Sequence, residues 1–205
     1  MSANGMMALL DSDYELHVID SQRKVNKVLL EGKKKVIGLK WVGEDRLLLI
    51  GSTGKCLFYT DKLEPFKNVR VARGEIDCID ITVYPNNEGT IIRMCLGLRS
   101  GRVGVYDVNL TDTTASVGFS YFYRTVYALQ KVTWLHHQIP PPEPSDRPPT
   151  AIHLYSLTDC HTSIVKYDSL VGLEGIFWDA CRRHTIESFR PSADRQALLL
   201  ILRRL

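Results

Sequence analysis

The sequence predicts an all-β chain made of repeated four-stranded antiparallel sheets, and three observations predict it. Short apolar runs of strand type recur along the 205 residues. Gly, Ser, Asp or Asn turns join them in pairs, the pattern of β-hairpins. Four of the runs end on or near an aspartate, at Asp20, Asp61, Asp107 and Asp168, at intervals of roughly 41 to roughly 61 residues.

The four aspartate-ended runs are "DYELHVID" (13–20), "GKCLFYTD" (54–61), "GRVGVYDV" (101–108) and "TSIVKYDS" (162–169). Each follows an apolar partner: "MMALL" (6–10), "RLLLI" (46–50), "IIRMCLGL" (91–98) and "AIHLYSL" (151–157). The turn "GSTGK" between the second pair looks like a phosphate loop, but Leu49 and Cys56 stand where that motif needs Gly and Ser or Thr. The strand-like "CLFYT" follows in place of a helix, so the glycines serve a hairpin turn. Upstream of the last three hairpins lie "VIGLKWVGED" (36–45), "IDCIDITVYPNNEG" (76–89) and "VYALQKVTWLHH" (126–137). "IDCIDITV" alternates apolar and polar residues, as a strand with one buried face does. After each hairpin comes a more polar run, at 24–32, 66–74, 115–125 and 173–183, as suits an outer strand.

Naming the four runs A to D, the chain reads B-C-D, three full A-B-C-D units, then A-B. The units are a partial one at 1–35, full ones at about 36–75, 76–125 and 126–184, and a partial one at 185–205. "QIPPPEPSDRPPT" (138–150) holds six of the nine prolines and is an insertion between A and B. A ligand for SH3 or WW modules is its functional reading, an unselected surface loop the plainer one. "TIESFRPSADRQALLLIL" (185–202) reads as strand, turn and strand, against a rival basic helix.

A period near 40–50 residues suits the blade of a β-propeller. "STGKCLFYTD", "RSGRVGVYDV" and "FRPSADRQALLLI" make nearly the whole chain resemble a degenerate WD40-type propeller. Gly-His is absent, and Tyr106-Asp107 and Tyr167-Asp168 stand where Trp-Asp would. Nucleoporin, membrane-trafficking and citron-homology propellers therefore stay compatible. The strand count predicts an incomplete ring of about four to five blades, first and last partial. A closed four-bladed ring is the alternative.

Composition narrows the function. The chain is 44% hydrophobic and 24% charged, with a formal net charge of +3, too mild to imply nucleic acid without a local patch. The N-terminus has no basic segment ahead of an apolar one, no run approaches a membrane span, and the five cysteines are scattered. A cytoplasmic or nuclear chain with free thiols is expected, not a secreted one. Cys160-His161 and Cys181-x-x-His184 lack zinc-site spacing. Asp77 and Asp80 face opposite sides of one strand, and the aspartates ending strand C are read as turn formers. No catalytic residue, metal or cofactor is expected. Trp41, Trp134 and Trp178 read as packing between blades. The run Phe119-Ser-Tyr-Phe-Tyr123 reads as a packed outer strand, with stacking on bases as its rival.

The cations are the remaining signal. D–A junctions and B–C turns share one face of a propeller. They carry Lys33, Lys34, Lys35, Arg73, Arg124, Arg182 and Arg183, and Lys55, Arg99, Arg102 and His161. Fewer acids lie there: Glu31, Glu75, Asp11, Asp13 and Asp159. The expected function is a non-enzymatic scaffold in a larger hetero-complex, binding protein partners with acidic segments. RNA or an anionic surface is the alternative partner of the same face.

Overall fold

The computed structural model describes residues 4–30, 35–86, 89–111, 115–124, 129–136, 152–158, 163–169, 173–179 and 184–204. They form 17 strands in five antiparallel sheets. Sheet I is β1 (Met7–Leu10), β2 (Glu15–Ile19) and β3 (Val25–Leu29). Sheet II is β4 (Val36–Val42), β5 (Arg46–Gly51), β6 (Lys55–Thr60) and β7 (Pro65–Arg70). Sheet III is β8 (Ile76–Asn86), β9 (Gly89–Leu98), β10 (Arg102–Leu110) and β11 (Ala115–Arg124). Sheet IV is β12 (Leu129–His136), β13 (Ile152–Thr158), β14 (Ser163–Asp168) and β15 (Leu173–Asp179). Sheet V is β16 (His184–Pro191) and β17 (Leu198–Arg204). The 185–202 passage is thus a hairpin. The Pro-rich insertion at 138–150 lies outside the described residues.

Each four-stranded sheet is a meander whose neighbours in sequence are neighbours in space. The second strands are buried on both faces: β9 is buried from Ile92 to Leu98 and β13 throughout. That is why "IIRMCLGL" and "AIHLYSL" are apolar at most positions on both faces, with Arg93, His153 and Ser156 as the buried polar exceptions. The outer β3 and β7 mix exposed and half-buried positions, hence their polar tinge.

The sheets stack face to face. Leu16, Val18, Leu47 and Leu49 fill the space between sheets I and II. Phe58, Cys56, Met94 and Leu96 fill that between II and III. Val103, Val105, Trp134 and Leu154 join III to IV, and Leu157, Ile164, Ile186 and Phe189 join IV to V. The first strands β4, β8, β12 and β16 lie side by side along this stack. The ring is not closed, because β1 and β17 belong to separate sheets.

Backbone bonds fix which loops share a face. In the β5–β6 turn, the Ser52 N–H donates to Lys35 O (2.8 Å), and Ser52 O accepts from the Ile76 N–H (2.7 Å). The Val71 N–H reaches Gly54 O (2.9 Å), and the Arg99 N–H reaches Glu75 O (2.9 Å). B–C turns and D–A junctions are therefore laced together on one face. Gly54 closes "GSTGK" with its N–H on Gly51 O (3.0 Å) and a φ of +80°. A Cβ there would lie 2.4 Å from Ala72 O. Gly54→Ala combines that clash with left-handed strain, so a stability loss of roughly 2 kcal/mol is expected by urea denaturation.

Candidate functional site

The buried polar chemistry sits between sheets III, IV and V. Arg93 and Asp107 are directly opposite on β9 and β10, so their side chains meet. Two bonds of 2.8 Å run from Arg93 Nε and Nη2 to the Asp107 carboxylate. Arg195 sits in the β16–β17 turn with a φ of +55°. It reaches back to β8, donating to Asp80 from Nη1 (2.8 Å) and Nη2 (3.1 Å), and to Trp134 O (2.9 Å). Thr133 Oγ1 also donates to Asp80, at 2.6 Å. The Trp134 ring takes both guanidiniums, Arg195 at 4.3 Å and Arg93 at 5.5 Å.

This corrects the reading of the strand-ending aspartates as turn formers. Asp20 does form a turn, accepting from the Gln22 and Lys24 N–H groups. Asp107 instead pairs with Arg93, and Asp168 Oδ2 lies 3.0 Å from His153 Nε2. The register puts each opposite a buried base, Arg93 and His153. The aromatic run on β11 is divided. Tyr123 is buried, hydrogen-bonded to Ser156 and stacked on Tyr167. Phe119 is 55% exposed and packs on Tyr106, ring centres 5.3 Å apart.

Sequence reasoning missed the grouping of Asp11, Glu15 and His17. His17 Nε2 lies 2.9 Å from Asp11 Oδ2 and 3.4 Å from a Glu15 oxygen, and Lys27 pairs with Glu15. The His17 contact and the Glu15 N–H hold the Asp11 carboxyl below the usual carboxylate range. These groups bind one another. The two Cys/His pairs considered for zinc reach outside the described residues, since only His184 of them is described.

Of the predicted basic face, Lys33, Lys34, Arg182, Arg183 and His161 lie outside the described residues. Lys35, Arg73, Arg99, Arg102 and Arg124 are exposed. Arg99 is neutralised by Glu75 (2.7 Å) and Asp77 (3.4 Å). Arg73 and Arg102 instead line one groove of about 350 Å³ between sheets II and III. Its walls include Val71, Leu98, Tyr106 and Phe119. Arg124 stands directly opposite Arg102 in the β10–β11 register, on the same sheet face. Among the described residues, no ion pair joins Arg73, Arg102 or Arg124 to an acid. A second, larger cavity of about 590 Å³ between sheets I and II is walled by Leu29, Leu49, Leu57 and Tyr59.

No protein-family model matches the chain, and no curated protein matches it in sequence. Solved structures match its fold. The WD40 domain of SCAP from fission yeast superposes with a TM-score of 0.65 at 13% identity, over 98% of this chain and 49% of that one. The complex of the fission yeast SREBP–SCAP binding domains gives 0.66 at 13% identity, over 98% and 54%. BBS1N in complex with ARL6DN gives 0.61 at 11% identity, over 95% and 57%. The chain thus has the WD40-like β-propeller fold, and it spans about half the length of the structures it matches.

Two outcomes follow from the buried chemistry. Arg195→Met leaves Asp80 without its guanidinium, and a loss of roughly 3 kcal/mol in urea denaturation is expected. Arg195→Lys should recover only part of it, because an ammonium cannot make the paired contact. Burial pushes the Cys56 and Cys78 thiols up to about 12. Iodoacetamide at pH 8 should therefore leave both unmodified in the folded chain and alkylate both in urea. These raised values also mean that the thiols contribute stability below the unfolded thiol range and lose it as pH rises past about 9. Rapid native alkylation, read by peptide mass spectrometry, would contradict their burial.

Proposed function

We propose that the chain is a non-enzymatic propeller scaffold that holds protein partners within a larger hetero-complex, in the cytoplasm or nucleus. One observation carries this reading. Rigid, backbone-laced turns present exposed cations, Lys35, Arg73, Arg102 and Arg124, on one face. A surface of that kind binds by complementarity and needs no reactive centre. The interior favours the same view. Asp80 and Asp107 are tied to arginines, and the described thiols are held protonated, so the strongest buried groups are already engaged. Free buried thiols at Cys56, Cys78 and Cys95 suit a reducing compartment. Among the structural neighbours, SCAP appears with SREBP and BBS1N with ARL6DN.

RNA is the less favoured partner, because burial of Tyr123 removes one ring from the stacking platform that base binding would use. The test is capture from cell extract with the chain immobilised. Proteins bound in fixed proportion should survive ribonuclease and weaken as salt rises. Reversing Lys33–Lys35 together with Arg73 should lower their recovery. Recovery of ribonucleoprotein that ribonuclease abolishes would overturn the protein-scaffold reading.

A further inference from the structure

We propose that the groove between sheets II and III is a docking slot for an acidic peptide segment that carries one large apolar side chain. The proposal rests on the scaffold reading above and names its partner class. Arg102, Gly104 and Tyr106 alternate onto one face of β10, with Arg124 and Phe119 opposite on β11. The other face of β10 turns Val103 and Val105 toward sheet IV. One side of the same strand is thus core, and the other opens into the slot from Arg102 to Tyr106 before Val108 and Leu110 return to the core between sheets II and III.

The slot has two chemical zones. Its floor is apolar: Val71 and Leu98 below, with the Tyr106 and Phe119 rings beside them. Gly104 makes room for this floor, since a Cβ there would lie 2.7 Å from the Tyr106 ring. Its rim is cationic, with Arg73 on the D–A junction and Arg102 on β10, and Arg124 stands next to the rim, directly opposite Arg102. Like charges placed directly opposite repel one another, so an incoming anion relieves a cost already present in the free chain. The volume, about 350 Å³, takes one aromatic or aliphatic side chain together with its backbone. Carboxylates on either side of that residue would meet guanidiniums, which bind carboxylates with two parallel bonds. Phosphate alone would satisfy the rim and leave the 55%-exposed Phe119 uncovered.

The test uses a short fluorescent peptide with one Phe between Glu-Asp pairs, titrated onto the full chain by anisotropy. The peptide should bind, and replacing its Phe by Ser or its acids by amides should each weaken binding. The double variant Arg102→Glu/Arg124→Glu should raise Kd at least ~10-fold, and Phe119→Ser several-fold. Lys24→Glu, on the exposed β2–β3 turn, should leave it unchanged. Circular dichroism of the variants should match the parent, since the replaced side chains are exposed. Equal binding of the Phe and Ser peptides would overturn the slot, as would no binding up to ~1 mM. Stronger Arg102-dependent binding of single-stranded RNA or of phosphatidylserine vesicles would overturn it too. If captured protein partners still bind the double variant, the slot fails while the scaffold reading stands.

Discussion

Sheets II, III and IV each have two apolar faces and can bury neither alone. β13 is buried along its whole length, and β5 and β9 along most of theirs, which is possible only with a sheet packed on each side. Burying one such side chain contributes ~1.5–3 kcal/mol, and each interface holds several. Stacking is therefore obligatory. Twisted sheets stacked face to face, with first strands side by side, follow a curved path, and a propeller arc is the result.

Apolar stacking is permissive about rotation and slip, so something more specific must set the angle between sheets. The Trp134 cluster has that character. Asp80 lies on sheet III, Thr133 and Trp134 on sheet IV, and Arg195 on the turn of sheet V. Three successive sheets meet in one set of bonds between 2.6 and 3.1 Å. A buried carboxylate left without its guanidinium would be costly, so any rotation that parts them is opposed. The left-handed backbone at Arg195 costs something locally, and it points the side chain to the one place where it is satisfied.

The strand order was legible because its signals are local. Alternation, apolar runs and turn residues lie within windows of ten, and the four-run period repeats them. The buried ion pairs were not legible in the same way. Arg93 and Arg195 look in sequence like Arg102 and Arg124. Register decides that Arg93 faces Asp107 inside while Arg102 faces Arg124 outside. Asp107 and Asp168 carried a signal that pointed to turns, but β10 runs on to Leu110 past Asp107, and only pairing across strands assigns the two to Arg93 and His153. The basic face was legible as a set of loops. Its division into the neutralised Arg99 and the convergent Arg73, Arg102 and Arg124 depends on bonds and register that no local window contains.

The end sheets show the stacking constraint from the other side. Sheet V has two strands, and β17 exposes Leu199, Ile201 and Leu202, neighbours that point to both of its faces. Sheet I exposes Met7, Leu9, Val25 and Leu29. The β1 and β17 residues belong to runs as apolar as those buried in sheets II to IV, and their sheets have a described neighbour on one side only. Their exposure therefore reflects position in the stack more than any surface function. The slot between sheets II and III is different in kind. It lies between two complete sheets, where a neighbour is present on each side, and it still stays open. Gly104 lets the Tyr106 ring lie flat along its floor, and the Arg73 and Arg102 guanidiniums sit at its rim, whereas among the described residues the space between sheets I and II is lined by the single cation Lys55. An opening that persists where stacking is satisfied is a property of these residues, and it is the stronger reason to look for a ligand there.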